Sequence, residues 1–134
     1  MKDLKDIFRR TMENYQRYNE KVPVLQEFAM GYRWLMAVDT KGRLSQALRV
    51  GSEKPQDEYE GILRSLIGKS GDHCLERLFS WGDPELCTIA VSILNLLSKP
   101  FNTEERLAER GIRRSAGLNF AYDVWGKKAG IIGY

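Results

Sequence analysis

The chain has 134 residues, of which 43% are hydrophobic and 29% charged, and its formal net charge is +3. This composition is typical of one globular domain and excludes long disorder, collagen and coiled coil. No apolar run approaches the roughly 18–20 residues that a membrane span requires, and the first ten residues, MKDLKDIFRR, lack the apolar region of a secretory signal. We therefore expect residues 1–134 to form a single cytoplasmic domain that does not act at a membrane.

The first fifty residues predict a helix followed by a small sheet. Apolar side chains from Leu4 to Tyr18 recur at helical spacing, which predicts a helix within residues 1–20 that ends before Pro23. Between residues 24 and 50 apolar residues alternate with a period of two, and DTKG at 39–42 is a turn signal. These patterns predict an antiparallel β-meander of two or three strands, with a bend near Gly31.

The rest of the chain is mostly helical by its pattern. Residues 58–110 contain apolar stripes at helical spacing, with helices expected over 58–68, 71–81 and 84–98 and a short charged helix after residue 103. Ser70, Asp83 and Thr103 are the residues expected to cap them. KKAGIIGY at 127–134 predicts a short terminal strand. Strands followed by helices are typical of an α+β fold in which helices cover one face of an antiparallel sheet.

The predicted helix over 84–98 has unusually few charges. Leu86, Ile89, Ile93 and Leu97 belong to its apolar stripe, yet its opposite side, which includes Asn95, carries no charge either. A helix without a charged side is either buried all round or covered by a partner.

The residues that most often perform catalysis or bind metal are sparse. Cys74 and Cys87 lie 13 apart and His73 is the only histidine, which matches no zinc framework. The two cysteines fit ordinary thiols on helices, since a disulfide would need an oxidising compartment. The common catalytic and phosphate-binding motifs are missing. We therefore predict no catalytic residues and no metal ligands, name no cofactor, and do not expect the isolated chain to be an enzyme.

Three residues are candidates for ligand binding. Asn95 is the main polar group on the uncharged helix, and it can face either a ligand or a neighbouring backbone group. Trp34 can form a flat apolar wall or belong to the core. Lys69, at a helix junction, can bind an anion or be an ordinary solvated lysine. We predict that a ligand would bind on the Asn95 side of the helix, near the strand that carries Trp34.

Four segments occur in an order that resembles a known family. They are GYRWLMAV, GRLSQALRV, IGKSGDHCLERLFSWGDPELCTIAVSILNLL and GKKAGIIGY, and together they look like the heavy-metal-chelation family over about residues 24–134. The resemblance implies a fold like the N-terminal domain of enolase. It also implies a C-terminal Rossmann-like domain, which this sequence lacks, and a ligand site between the two domains.

Three functions are consistent with these observations. The first is a ligand- or metal-handling half-module whose site is completed by a Rossmann-like partner or a second subunit. The alternative is a non-catalytic interaction or assembly domain, since an apolar strand at 127–134 favours a homo-oligomer. The third, nucleic-acid binding through Arg106, Arg110, Arg113 and Arg114, is disfavoured because Glu104, Glu105 and Glu109 lie among these arginines.

Overall fold

The computed structural model describes residues 2–49 and 54–112, and it has the predicted α+β fold. The N-terminal helix and the sheet are α1 (Lys2–Arg17), β1 (Leu25–Met30), β2 (Trp34–Asp39) and β3 (Leu44–Leu48). The helices that follow are α2 (Gln56–Leu66), α3 (Gly71–Trp81), α4 (Cys87–Ser98) and α5 (Glu104–Glu109). The strand expected at 127–134 lies outside the described residues.

The chain divides into two compact units, Met1–Phe101 and Asn102–Tyr134. In the second unit the structure describes α5 and the turn after it. Thr103 caps this helix as predicted, because its Oγ1 accepts a hydrogen bond from the Arg106 N–H at 3.3 Å. Gly111, with a φ of +72°, ends it.

The three strands form an antiparallel meander in the order β1-β2-β3. The predicted bend separates β1 from β2, and the Gly31 N–H donates to the Trp34 carbonyl at 2.8 Å across it. The β2–β3 turn is held by the fully buried Asp39 carboxylate. This carboxylate accepts from the N–H groups of Lys41 and Arg43, both at 2.9 Å, and from the Arg43 guanidinium at 2.7 Å.

The sheet has two faces with different surroundings. The inner face carries Phe28, Met30, Leu35, Ala37, Ser45 and Ala47. The outer face carries Glu27, Ala29, Trp34, Met36, Val38, Leu44, Gln46 and Leu48. Helix α4 packs on the inner face, where the Ser45 hydroxyl donates to the Ser92 carbonyl at 2.6 Å.

Helix α4 is the centre of the core. Eight of its twelve residues are buried: Thr88, Ile89, Ala90, Ser92, Ile93, Leu94, Leu96 and Leu97. The sheet, α1 and α3 pack around it, so its uncharged sides are explained by the chain's own fold. Its start differs from the prediction, because Pro84–Leu86 forms a 3-10 turn in which the Leu86 N–H donates to the Asp83 carbonyl at 3.1 Å.

Of the two caps predicted for α3 and for the segment that leads into α4, only the one at Asp83 makes its side-chain hydrogen bond. Ser70 precedes α3 as predicted, but its side chain makes no capping hydrogen bond. Asp83 does cap the 3-10 turn, since its Oδ1 accepts from the Glu85 N–H at 3.0 Å. At the other end of α4, the buried Tyr15 hydroxyl of α1 donates to the Leu97 carbonyl at 2.8 Å. Tyr15 thus supplies a donor to the last turn of α4, where carbonyls lack helical partners.

The buried Tyr15 hydroxyl and Cys74 thiol predict that the protein loses stability at alkaline pH. Burial raises the pKa of Tyr15 from 10.0 to about 12 and that of the Cys74 thiol from 9.0 to about 11. Because the folded state holds these protons more tightly, their contribution to stability is complete below pH 9 and is lost as the pH rises towards 11–12. We expect the free energy of unfolding, measured in urea, to fall steeply above pH 9.

The Cys74→Ala variant provides the control for this pH dependence. Its stability should fall less between pH 9 and pH 11 than that of the original chain, because the thiol no longer titrates. Equal pH slopes for the two proteins would contradict the assignment.

Candidate functional site

The outer face of the sheet carries a group of exposed and half-buried apolar side chains. Trp34 is 42% exposed, Leu44 is 51% exposed and Leu48 is 39% exposed, while Met36 and Val38 lie between them and are half-buried. Three strands about 4.8 Å apart and six residues at about 3.3 Å give a face of roughly 14 by 20 Å. The helices that pack on the sheet, α4 and α2, lie on the opposite, inner side.

The charge of the outer face is concentrated at one corner. Among the eight outer-face residues named above, Glu27 near the start of β1 is the single charged side chain and Gln46 is the other polar one. Strand β2 is apolar on both faces, since Trp34 and Met36 point outward while Leu35 and Ala37 are buried. A strand that is apolar on both sides is typical of a sheet covered on both faces.

The edge of β3 is partly blocked by α4. Leu35 and Ala37 of β2 form backbone hydrogen bonds with the residues opposite them on β3, Ala47 and Ser45. The N–H and C=O groups of the alternate residues Leu44 and Gln46 therefore point away from the sheet. The Asn95 amide donates to the outward Gln46 carbonyl at 2.9 Å. An open groove of about 380 Å³ runs beside this contact and is lined by Leu44, Ser45, Gln46, Asn95, Ser98 and Lys99.

The three predicted ligand-binding residues lie on three different surfaces. Asn95 is exposed at the β3 edge, and its amide is bonded to the chain's own backbone. Trp34 lies on the outer face, whereas α4 packs on the inner one. Lys69 follows α2 beside the other edge strand, where its carbonyl accepts from the Leu25 N–H at 2.9 Å. The structure therefore does not bring Trp34 and Asn95 into one pocket.

A second groove lies between α2 and the edge strand β1. It has a volume of about 340 Å³ and is lined by Phe28, Met30, Gln56, Glu60, Leu63, Arg64 and Ile67. The side chains of Phe28 and Met30 face α2, which places the open edge of β1 along one wall. No local sequence pattern marks this groove, because its walls come from β1 and from α2, which are distant in the chain.

The described residues offer little reactive chemistry. They contain no group of three or more His, Cys, Asp or Glu side chains placed to hold a metal ion. Cys74 is buried, and neither cysteine forms a disulfide. The shifted pKa values belong to buried groups of the core and to one surface ion pair. In that pair the hydrogen bond between Lys54 and Asp83, at 2.7 Å, raises the pKa of the lysine and lowers that of the aspartate.

Comparisons with known proteins add no assignment to this geometry. No family model, curated protein or solved structure matches the chain. None of the helices in the described ranges combines the length and the apolar character that crossing a membrane requires. Interpretation of the surfaces above therefore depends on their own chemistry.

Proposed function

We propose that this chain is a non-catalytic interaction domain that associates with a second copy of itself through the outer face of its sheet. The observation that supports this proposal is the composition of that face. Six of its eight side chains are apolar: Ala29, Trp34, Met36, Val38, Leu44 and Leu48. Contiguous exposed apolar surface of this kind marks interaction sites in soluble proteins.

Charge favours face-to-face association over pairing of the β3 edges. Two copies can bring the uncharged centres of their outer faces together, because the one charge, on Glu27, lies at a corner. Antiparallel pairing of two β3 strands about Gln46 would instead place Arg43 opposite Arg49 of the second copy, and like charges opposite each other destabilise a strand pair. The Asn95 amide also occupies the Gln46 carbonyl that such pairing would use.

The size of the face predicts weak association. A face of roughly 14 by 20 Å covers about 300 Å² on each copy. Two copies would bury roughly 600 Å² there, which is below the approximately 1,200 Å² of specific stable interfaces. We therefore expect a reversible dimer that forms at tens to hundreds of micromolar, about −5 to −6 kcal/mol.

The test is sedimentation velocity over a range of protein concentrations. Leu44→Glu should remove the concentration-dependent dimer, because it places a carboxylate in the apolar face. Ile7→Glu is the matched control, since Ile7 on α1 is also 51% exposed, and it should dimerise like the original chain. A chain that stays monomeric at several hundred micromolar, or equal weakening by both substitutions, would contradict the proposal.

A ligand- or metal-handling half-module is the second candidate. The resemblance to the heavy-metal-chelation family supports it, together with the enolase-like fold and the Rossmann-like partner which that resemblance implies. Its site would be the groove beside Asn95, an exposed residue that lines this groove together with Lys99 and whose amide N–H is bonded to the Gln46 carbonyl. Native mass spectrometry and elemental analysis test it: a small ligand or metal that the purified chain retains, and that Asn95→Ala loses, would support it. A mass equal to that of the chain alone would count against it.

A further inference from the structure

The outer edge of β1 has backbone groups that no neighbouring strand uses. The Gly31 N–H donates to the Trp34 carbonyl across the β1–β2 ladder. In an antiparallel pair of strands, such hydrogen-bonded residue pairs recur at every second position. Phe28 and Met30 occupy the intervening positions, so their N–H and C=O groups point away from β2. Within the described residues, no strand pairs with them.

The same edge already accepts an extended segment at its beginning. The Gly68 N–H donates to the Leu25 carbonyl at 2.8 Å, and the Leu25 N–H donates to the Lys69 carbonyl at 2.9 Å. Val24 and Ser70 form an antiparallel bridge beside them. The short segment after α2 therefore pairs with the start of β1 and leaves the Phe28–Met30 part of the edge open.

The open part of the edge lies against a groove that has two apolar walls and is also lined by the polar or charged side chains of Gln56, Glu60 and Arg64. Phe28 and Met30 form one wall and Leu63 and Ile67 of α2 form the other, in a space of about 340 Å³. Alternate side chains of a strand point to the same side. An extended segment that paired with this edge would therefore direct every second side chain into the groove.

Two arginines at one end of the groove favour an acidic partner there, while Glu27, which precedes Phe28 on β1, has its side chain on the outer face of the sheet. At its Gly31 end, the Arg49 guanidinium lies 3.5 Å from the Gly31 carbonyl and 5.5 Å from the centre of the Tyr59 ring. Arg33 is exposed in the same turn. Among the described residues, neither arginine has a carboxylate partner. Glu60, on the rim, is already paired with Arg64 at 3.6 Å.

We propose that the groove between β1 and α2 binds an acidic, extended peptide segment of another protein by strand addition. Backbone hydrogen bonds to Phe28 and Met30 would provide affinity, and two apolar side chains in the groove would provide specificity. Acidic residues of the segment would lie near Arg33 and Arg49. This site is separate from the outer face, so the proposal does not depend on dimerisation.

The test uses a fluorescein-labelled nine-residue peptide in which Val alternates with Ser and two Glu residues stand at each end. Fluorescence anisotropy should show saturable binding to the full chain. A version N-methylated at alternate residues keeps the side chains but loses strand-pairing donors, and it should bind at least tenfold more weakly. A version with Lys in place of each Glu should also lose at least tenfold.

Two substitutions locate the binding. Ile67→Lys places a charge at the rim of the groove, at a position that is already 41% exposed, and should weaken binding at least tenfold. Ile7→Lys on α1 is the matched control and should leave binding unchanged, as should Leu44→Glu on the outer face. Equal binding of the N-methylated peptide, equal binding of the lysine peptide, or no binding by the original chain at 1 mM would each overturn the proposal.

Discussion

Replacing Ile93 with alanine is expected to lower the free energy of unfolding by about 3–4 kcal/mol, which is typical when a buried aliphatic side chain is truncated. Ile93 is fully buried in the middle of α4. The start of α3 packs tightly beside Ile93 and Leu97, because a Cβ added to Gly71 would be 3.6 Å from Ile93 Cγ2 and 2.7 Å from Leu97 Cδ2. Such a tightly filled site has little room to collapse around a cavity.

Val91→Ala is the control in the same helix. Val91 lies two residues earlier and is only half-buried, so its truncation should cost about 1 kcal/mol or less. Urea unfolding followed by circular dichroism measures both variants. If the two substitutions cost the same, α4 does not have the central place in the core that the structure gives it.

Asp39→Ala should destabilise the domain by about 2–3 kcal/mol, since hydrogen bonds to charged groups contribute about 1.5–3 kcal/mol. The substitution removes the acceptor for two backbone N–H groups of the β2–β3 turn and the partner of the Arg43 guanidinium. It also leaves a space at a side chain that is fully buried. The loss should appear in urea unfolding at pH 7.

Two further variants separate the causes of this loss. Asp39→Asn keeps an oxygen acceptor for the turn and removes the ion pair with Arg43. Its free energy of unfolding should therefore lie between those of the original chain and of Asp39→Ala. Asp57→Ala changes an exposed carboxylate in the first turn of α2 and should cost no more than about 0.5 kcal/mol. An effect of Asp39→Ala within that range would show that the turn does not need its carboxylate.

Local patterns in the sequence were sufficient to predict most of the fold. The period-two alternation gave the strands, Gly31 gave the break between β1 and β2, and DTKG gave the turn after Asp39. Each of these signals is contained within a few neighbouring residues. The uncharged helix was expected to be either buried all round or covered by a partner, because a solvated helix would carry charge on one side. Eight of its twelve residues are buried within the chain's own fold.

The placement of the candidate site residues could not be predicted in the same way. Asn95 bonds to Gln46, 49 residues away in the chain, and no local pattern encodes that pairing. Trp34 and Leu35 are adjacent in sequence, and which of them faces the core depends on the side that α4 covers. The period of two showed that they lie on opposite faces but not which face is inner.

The first five residues of β2 are apolar on both sides of the strand. WLMAV contains no polar residue, whereas the strands of a sheet with one solvated face usually alternate apolar and polar side chains. This pattern predicts the exposed outer face. The groove beside β1 has no comparable signal, because it depends on how α2 returns along the strand.

The contact between Asn95 and Gln46 makes the β3 edge of the sheet less able than the β1 edge to pair with another strand. Unlimited edge-to-edge growth of such sheets would need both the β1 edge and the β3 edge of each molecule to accept a strand. The Asn95 amide competes for the Gln46 carbonyl at the β3 edge, so this edge is less able to accept a further strand. We therefore expect Asn95 to hinder edge-to-edge polymerisation of the sheet even though the Phe28–Met30 part of the β1 edge is open.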